Sequence, residues 1–296
     1  MTISHPNGRF SKLCVLERFL LVPALFPLLM LGGCNALNLG VVNYAGPIAA
    51  SQWHLYLIVA VVLIFVAGPV LLLVPFFAWR YRLSNKRGAF KPDWTFSWII
   101  EGFIWLPPIG IVVGLGIVLW DYTHALDPYR RLVSTQPALE IQAVGLDWKW
   151  LFIYPGNQVA AVNQMVIPVG RPVHISLTSG TVMQSLLIPQ LAGQIYAMAG
   201  MTTQLNLAAS VAGVYRGENT QFNGTGFQNQ KFNVVALAPA DYMRWQNNVK
   251  ASARPFDGKA LDEMFQRSIM PQPIFFSSVP ANLYQQIQRR SQEPRS

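Results

Sequence analysis

The sequence contains little charge for its length. Asp, Glu, Lys and Arg make up only 12% of its 296 residues, while 52% of the residues are hydrophobic. This balance argues against an ordinary soluble enzyme and indicates a membrane protein. The formal net charge of +9 does not indicate a nucleic-acid-binding protein, because the basic residues are dispersed instead of forming one concentrated face.

Cysteine is also scarce. The two cysteines, Cys14 and Cys34, both precede the first long apolar segment. A domain that follows them cannot hold an internal disulfide, even in an oxidising compartment. We therefore expect packing and anchoring to stabilise that domain.

The N-terminal 33 residues have the features of a secretory signal. Basic residues come first, an apolar run at 19–31 follows, and Gly32 and Gly33 precede Cys34. The tetrapeptide LGGC at 31–34 resembles a bacterial lipobox, which predicts that Cys34 is lipidated and becomes the mature N-terminus. The alternative is an unmodified thiol after a chance match. Residues 34–53 are then a short periplasmic segment.

Two apolar stretches, at 54–79 and 96–120, are each long enough to cross a bilayer. Together they predict a transmembrane hairpin over 54–121. Their prolines are tolerated when neighbouring helices satisfy the freed carbonyls. The connecting loop at 80–95 is rich in Lys and Arg, which places it in the cytoplasm and both chain ends outside.

After the hairpin, the pattern changes to short alternating runs broken by Pro and Gly, as at 139–144, 173–177 and 232–237. This two-residue period predicts a β-sandwich domain over 122–245. A helix is predicted at 241–249, with Asp241 near its cap. For the C-terminal extension at 246–296 we expect short amphipathic pieces and weak organisation.

Several local motifs occur in the order of one known family. They are EGFIWLPP at 101–108, DWKW at 147–150, VMQSLLIP at 182–189 and QIYAMAGM at 194–201. Together with the signal and the hairpin, these segments resemble subunit II of the haem–copper oxidases, and within it the ubiquinol-oxidase branch. The resemblance implies a mixed membrane/all-β fold, with a cupredoxin-like Greek-key sandwich in the periplasm.

The resemblance also identifies what is missing. In cytochrome c oxidases this domain holds a two-copper centre, CuA, which is bridged by two cysteine thiolates. The family pattern places the following residues at its ligand positions: Gln184, Asn219, Gln221, Asn223, Phe227 and Gln230. Only the backbone carbonyl of Gln221 could still act as a ligand, so we expect no metal and no cofactor in this chain.

A chain without CuA implies an oxidase whose electrons come from quinol. The resemblance implies a proton-translocating complex in the bacterial inner membrane, with haems, CuB and the quinol site in subunit I, and with subunits III and IV as further partners. Two alternatives stay open at this point. One is an electron-carrying cytochrome c oxidase subunit II, and the other is a non-enzymatic envelope lipoprotein with a cupredoxin fold.

Three residues carry further expectations. Glu101 matches the family's glutamate at the entrance of a proton path into subunit I, although the helix dipole would favour a carboxylate there in any case. Trp148 and Trp150 are expected at the interface with subunit I. Asp147 and Lys149, which flank Trp148, are expected to be ordinary surface charges.

Overall fold

Two long apolar helices begin the computed structural model, which describes residues 40, 42–82, 84–85, 93 and 95–292. Helix α1 spans Pro47–Arg80 and helix α2 spans Trp98–Ala125. Both are long and apolar enough to cross a membrane. Their apolar side chains are largely exposed, as expected for helices that pack against lipid or another subunit.

Both helices extend beyond the apolar stretches that predicted them. Helix α1 begins at Pro47, seven residues before 54, because proline at the first position already has a helical φ and needs no hydrogen-bond acceptor for its nitrogen. Helix α2 continues to Ala125, five residues past 120. The additional turns include polar residues, so hydrophobicity alone does not identify them.

The described residues form eleven β-strands. They are β1 Leu139–Leu146, β2 Lys149–Tyr154, β3 Val159–Val162, β4 Gln164–Pro168, β5 Val173–Ser179, β6 Gln184–Ile188, β7 Ala192–Ala197, β8 Thr203–Leu207, β9 Gly213–Asn219, β10 Lys231–Leu237 and β11 Ile274–Phe276. One sheet has the order β11-β3-β2-β1-β5-β8, and the other has the order β4-β10-β9-β6-β7. Parallel pairing occurs between β1 and β5 and between β4 and β10. This arrangement is the predicted sandwich.

The main hydrophobic core lies between the two sheets. At its centre the rings of Trp150, Phe152 and Phe232 are in mutual contact, with centroids 5.1–6.5 Å apart. Strand β10 alternates buried and exposed positions, as its two-residue period predicts. Strand β2 is buried at every position, because its outer face is also covered.

The C-terminal extension provides that cover. Helix α3 (Pro239–Ser252) is followed by α4 (Gly258–Phe265), β11 and α5 (Leu283–Arg290). Met264, Phe276 and Ile287 are fully buried in a second core against the outer face of β1 and β2. The expectation of weak organisation is therefore wrong. The amphipathic pieces are ordered because each finds an apolar sheet face to cover.

The predicted boundary at 245, between the sandwich domain and the C-terminal extension, falls inside α3. The extension is therefore not a separate unit. Strand β11 pairs with β3 and completes the first sheet. Helix α3 begins at Pro239 with Ala238 as its N-cap, so Asp241 lies in its first turn, near the cap as predicted.

The sandwich is attached to both long helices. Before α1, the amide of Ala45 donates to Gln190 O (2.8 Å), and a Cβ on Gly46 would lie 2.4 Å from Ala208 O. After α2, Pro128 O accepts from both the backbone amide and the side-chain amide of Asn206, at 3.1 and 2.9 Å. Both helices therefore leave from the same end of the sandwich.

Candidate functional site

Four amide side chains from distant parts of the sequence meet at the other end of the sandwich. Gln184 begins β6, Asn219 ends β9, Asn223 lies in the following loop, and Gln230 precedes β10. The pairing of β6 with β9 brings the first two together. We call these four residues the amide cluster. Three of them are at most 4% exposed, and Asn223 is partly buried.

Gln230 connects the cluster. Its Oε1 accepts hydrogen bonds from Asn219 Nδ2 (3.0 Å) and from Asn223 Nδ2 (2.7 Å). Its Nε2 donates to Gln184 Oε1 at 2.5 Å. A single amide can serve both sides in this way because it carries a donor group and an acceptor group.

The cluster is also bonded to the backbone around it. Nε2 atoms of Gln184 and Gln230 both donate to Leu146 O, each at 3.2 Å. Asn219 Oδ1 accepts from the backbone amides of Ser185 (2.9 Å) and Gln221 (3.0 Å), and its Nδ2 donates to Gln221 O (2.8 Å). Within the described part of the chain, one buried cluster atom, Asn223 Oδ1, has no hydrogen-bond partner.

The structure therefore brings together five of the six positions that the family pattern assigns to copper ligands. The sixth, Phe227, lies outside the network in a short 3-10 helix, where its ring packs on Phe222 with centroids 5.7 Å apart. Gln221 contributes only backbone atoms.

This donor set does not fit a CuA centre. Copper in such a centre needs thiolate bridges and imidazole ligands, and neutral amides supply neither. The sequence has no cysteine after Cys34. The amides are already bonded to one another, so a metal would have to break these bonds before it could bind.

A charged group lies next to the cluster. Lys149 is fully buried, and its Nζ donates to Gln266 O (2.6 Å) and Ser268 Oγ (2.7 Å). Asp147 is 6% exposed and pairs with Arg267, with Nε–Oδ2 at 3.3 Å. Burial lowers the pKa of Lys149 to about 8, although the nearby Asp147 raises it.

The expectation of ordinary surface charges at Asp147 and Lys149 is therefore wrong. The C-terminal extension covers both residues and supplies their partners, which lie more than a hundred residues away. One signal in the sequence points to this outcome. Lys149 is the first residue of a strand whose other residues are all hydrophobic on both faces. Such a strand is expected to be covered on both faces, and a covering segment would also bury Lys149.

The two tryptophans of the DWKW motif have different environments. Trp148 is partly exposed in the turn between β1 and β2, with φ of 65°, and its indole Nε1 donates to Asn223 O at 3.4 Å. Its ring lies directly on Gly226, where a Cβ would come within 2.1 Å. Trp150 is 0% exposed in the main core. An interface role for Trp150 is therefore wrong, because a side chain with no accessible surface cannot contact a partner.

Glu101 lies far from this region, in the first turn of α2. It is partly exposed, and its Oε2 accepts a hydrogen bond from Trp105 Nε1 at 3.0 Å. The spacing of four residues places both side chains on one face of the helix. Cys34 lies outside the described residues.

Comparison with known proteins agrees with this architecture. Residues 155–236 match the family model for the periplasmic domain of cytochrome c oxidase subunit II. The chain is 40% identical to cytochrome bo(3) ubiquinol oxidase subunit 2 of Pseudomonas aeruginosa, over 88% of this chain and 78% of that protein. It is 39% identical to ubiquinol oxidase subunit 2 of Acetobacter aceti, over 83% and 80%.

The chain belongs to the ubiquinol oxidase subunit 2 family. It is thus a haem–copper oxidase subunit, and such a subunit forms a complex with subunit I. The periplasmic domain of cytochrome oxidase subunit II of Bradyrhizobium japonicum is a further match, with 20% identity and a TM-score of 0.36 over 38% of this chain and 94% of that structure. The matched relatives are ubiquinol oxidase subunits, so a role as electron-carrying cytochrome c oxidase subunit is not supported.

Proposed function

We propose that this chain carries no redox centre and supports a subunit I that oxidises quinol, reduces dioxygen to water and translocates protons. The observation that carries the proposal is the amide cluster. It occupies the copper-ligand positions with neutral side chains that bond to one another and to the backbone. Electrons must then reach the haems and CuB of subunit I without passing through this chain. A lipid-soluble quinol can deliver them directly to subunit I.

This proposal is tested by purifying the complex through a tag on this chain. We expect subunits I, III and IV to co-purify, haem spectra to be present, and quinol to support oxygen consumption while reduced cytochrome c does not. Near-infrared absorption from a mixed-valence copper pair would contradict the proposal. So would the recovery of this chain alone, as expected for a free-standing envelope lipoprotein.

Glu101 is proposed as the cytoplasmic entrance of a proton path into subunit I. Support comes from its place in the first turn of α2 and from the Trp105 hydrogen bond, which holds the carboxylate on one face of the helix. An ionisable group at the end of a spanning helix also calls for an explanation. Glu101→Gln and Glu101→Ala should slow quinol-driven oxygen reduction per haem several-fold, and Glu101→Asp should slow it less.

The control is Asp93→Asn, which removes another acidic group from the same loop region. Its turnover should equal that of the wild type. If Glu101→Ala has full turnover at normal haem content, only the structural role at the helix N-terminus is left.

Lipidation at Cys34 and a two-span topology complete the proposed arrangement in the bacterial inner membrane. Mass spectrometry should find Cys34 diacylated at the mature N-terminus, and Cys34→Ala should reduce processing more than membrane attachment. An impermeant thiol reagent should label Val133→Cys from the outside of intact cells and should not label Ser84→Cys. Equal labelling of both positions would overturn the topology.

Trp148 is proposed to contact subunit I. It is partly exposed, and the close contact with Gly226 holds its ring in place. Trp148→Ala should lower the amount of subunit I recovered with the tagged chain. Phe222→Ala is the matched control, because this neighbouring aromatic side chain is 73% exposed. Equal losses from both variants would contradict a specific contact.

A further inference from the structure

A cavity of about 540 Å³ opens at the end of the sandwich from which both helices leave. Its lining includes the starts of β1 and α3, the ends of β2 and β4, and the linker that follows α2. The loop beside it, at Gly170, is bonded to Ala209, and Ser210 is bonded to Ala45 just before α1. The cavity is thus joined to the helix attachment by a short chain of hydrogen bonds.

Arg171 provides a cation in the cavity wall. Its Nε donates to Pro137 O at 2.9 Å, and its Nη2 makes a long contact of 3.5 Å with Ala138 O. These carbonyls hold the guanidinium in place without neutralising it. Among the residues that the structure describes, no carboxylate forms an ion pair with Arg171. The side chain therefore keeps donors and a full charge for an anion.

Tyr242 adds a hydroxyl group that lacks a partner. The residue is 4% exposed and lines the cavity, and its Oη is a buried atom with no hydrogen bond of acceptable geometry in the described structure. Burial raises the pKa of Tyr242 to about 12, while a side-chain contact with Gln246 and the charge of Arg171 lower it. The Gln246 contact does not have the distance and angles of a hydrogen bond, so the hydroxyl has no partner among the described residues. The group is a neutral donor at physiological pH. A buried hydroxyl without a partner costs stability unless a ligand or water accepts from it.

The other groups of the lining extend this pattern. Pro239 begins the fourteen-residue helix α3 at the cavity wall, so the positive end of the helix dipole is also present. Glu140 lines the rim and supplies a carboxylate whose side chain is 49% exposed. The ring nitrogen Nε2 of His174 lies 3.9 Å from Glu140 Oε2. One side of the cavity thus favours an anion, and the rim can hold a cation.

We propose that this cavity binds a phosphate ester that also carries a primary ammonium group, with the phosphate at Arg171 and Tyr242 and the ammonium at Glu140. The headgroup of phosphatidylethanolamine has this chemistry, and so does soluble phosphoethanolamine. The lipid source rests on the proposed membrane insertion of α1 and α2, which would hold this end of the sandwich near the headgroups. The cavity volume is in the usual range for small-molecule sites.

The test uses the full chain purified in detergent, with binding followed by phosphorus NMR and native mass spectrometry. The probes are dihexanoyl phosphatidylethanolamine, dihexanoyl phosphatidylglycerol and soluble phosphoethanolamine. We expect the ethanolamine lipid to bind to one site. Tyr242→Phe should weaken this binding about tenfold and Arg171→Gln at least tenfold, as lost hydrogen bonds to a charged group would do.

Glu140→Gln should weaken binding of the ethanolamine lipid and leave binding of phosphatidylglycerol unchanged. Arg244→Gln and Tyr196→Phe are the controls, because both side chains are exposed and neither lines the cavity. If Arg171→Gln does not fold, lipid binding is measured on Arg171→Lys and Tyr242→Phe instead, since both variants preserve most of the packing.

The source of the ligand follows from the probes. Tighter binding of the lipid than of phosphoethanolamine assigns the cavity to a membrane headgroup, and equal binding assigns it to the soluble compound. The proposal is overturned if neither probe binds, or if Tyr242→Phe and Arg171→Gln bind as the wild type does. The result of these binding measurements does not depend on whether the chain assembles with a quinol-oxidising subunit I.

Discussion

The amide cluster and the cavity at Arg171 lie at opposite ends of the sandwich, and they differ in how many of their buried polar groups have hydrogen-bond partners. At the first end, Gln184, Asn219 and Gln230 form a nearly complete network. At the second end, the part of the chain that the structure describes gives the buried hydroxyl of Tyr242 no hydrogen-bond partner and gives Arg171 no ion-pair partner.

This difference teaches how to recognise a ligand site in the fold. A region that no longer holds a metal can be stabilised by residues that bond to one another, and the amide cluster is such a region. A buried hydroxyl without a protein partner, beside a cation and a cavity, is instead a position where a ligand or water can bind. The copper-ligand positions that the family resemblance identifies are therefore filled by side chains bonded to one another. The cavity at Arg171, which the resemblance does not identify, has room for a ligand.

The largest effect is expected from Gln230→Ala. This change removes the side chain that serves Asn219, Asn223 and Gln184, and leaves several buried donors and acceptors unsatisfied. The free energy of unfolding should fall by about 3–5 kcal/mol, measured by urea denaturation. Asn229→Ala changes the exposed neighbour and should have little effect. A loss below about 1 kcal/mol would mean that the cluster is not a stabilising network.

Gly46→Ala tests the attachment at the helix end. A Cβ at this position would lie 2.4 Å from Ala208 O, so the sandwich must shift relative to α1. We expect a loss of about 1–3 kcal/mol and faster proteolysis before α1. Gly68→Ala is the matched control, because a Cβ there meets nothing within 4 Å. Equal protease resistance in both variants would show that the attachment is not tight.

Lys149→Met tests the charged group beside the cluster. The pKa of Lys149 is about 8 in the folded chain against 10.5 ordinarily, so the unfolded state binds more protons between these values. The stability of the wild type should therefore rise with pH across that window, by about 1–2 kcal/mol relative to Lys149→Met between pH 7.5 and 9.5. The comparison with the variant cancels the titration of tyrosines. Parallel curves would mean that Lys149 is more solvated than its burial indicates.

The smallest effect is expected from Tyr242→Phe in the absence of ligand. Because the hydroxyl has no hydrogen-bond partner among the described residues, its removal should change the free energy of unfolding by less than about 1 kcal/mol, in the stabilising direction. Tyr154→Phe is the contrasting variant, since that buried hydroxyl both accepts from Val166 N (2.7 Å) and donates to Val166 O (3.0 Å). Tyr154→Phe should lower the stability of the chain more than Tyr242→Phe does, as measured by thermal unfolding. Similar losses from both would indicate that Tyr242 has an internal partner.

Local pattern was enough to predict several features. The two apolar helices and the strands β1, β5 and β10 follow from residue types at short spacing. The resemblance to the family implied that Gln184, Asn219 and Gln230 stand at the copper-ligand positions. Hydrophobic periodicity depends on neighbours a few positions apart, so it can be read without the fold. The absence of thiolates excludes a CuA centre whatever the structure is.

Contacts between distant segments decided the rest. Lys149 is buried because Gln266 and Ser268 fold over it, and Trp150 faces the core while Trp148 stays in the turn. The cavity at Arg171 is lined by α3, the linker from α2 and the ends of several strands, which are far apart in the sequence. Residue types alone excluded a thiolate-bridged copper centre in the sandwich, since a missing ligand is missing in any fold. Only the tertiary structure decided which polar groups are buried and which have partners, because burial and pairing depend on residues that lie far apart in the chain.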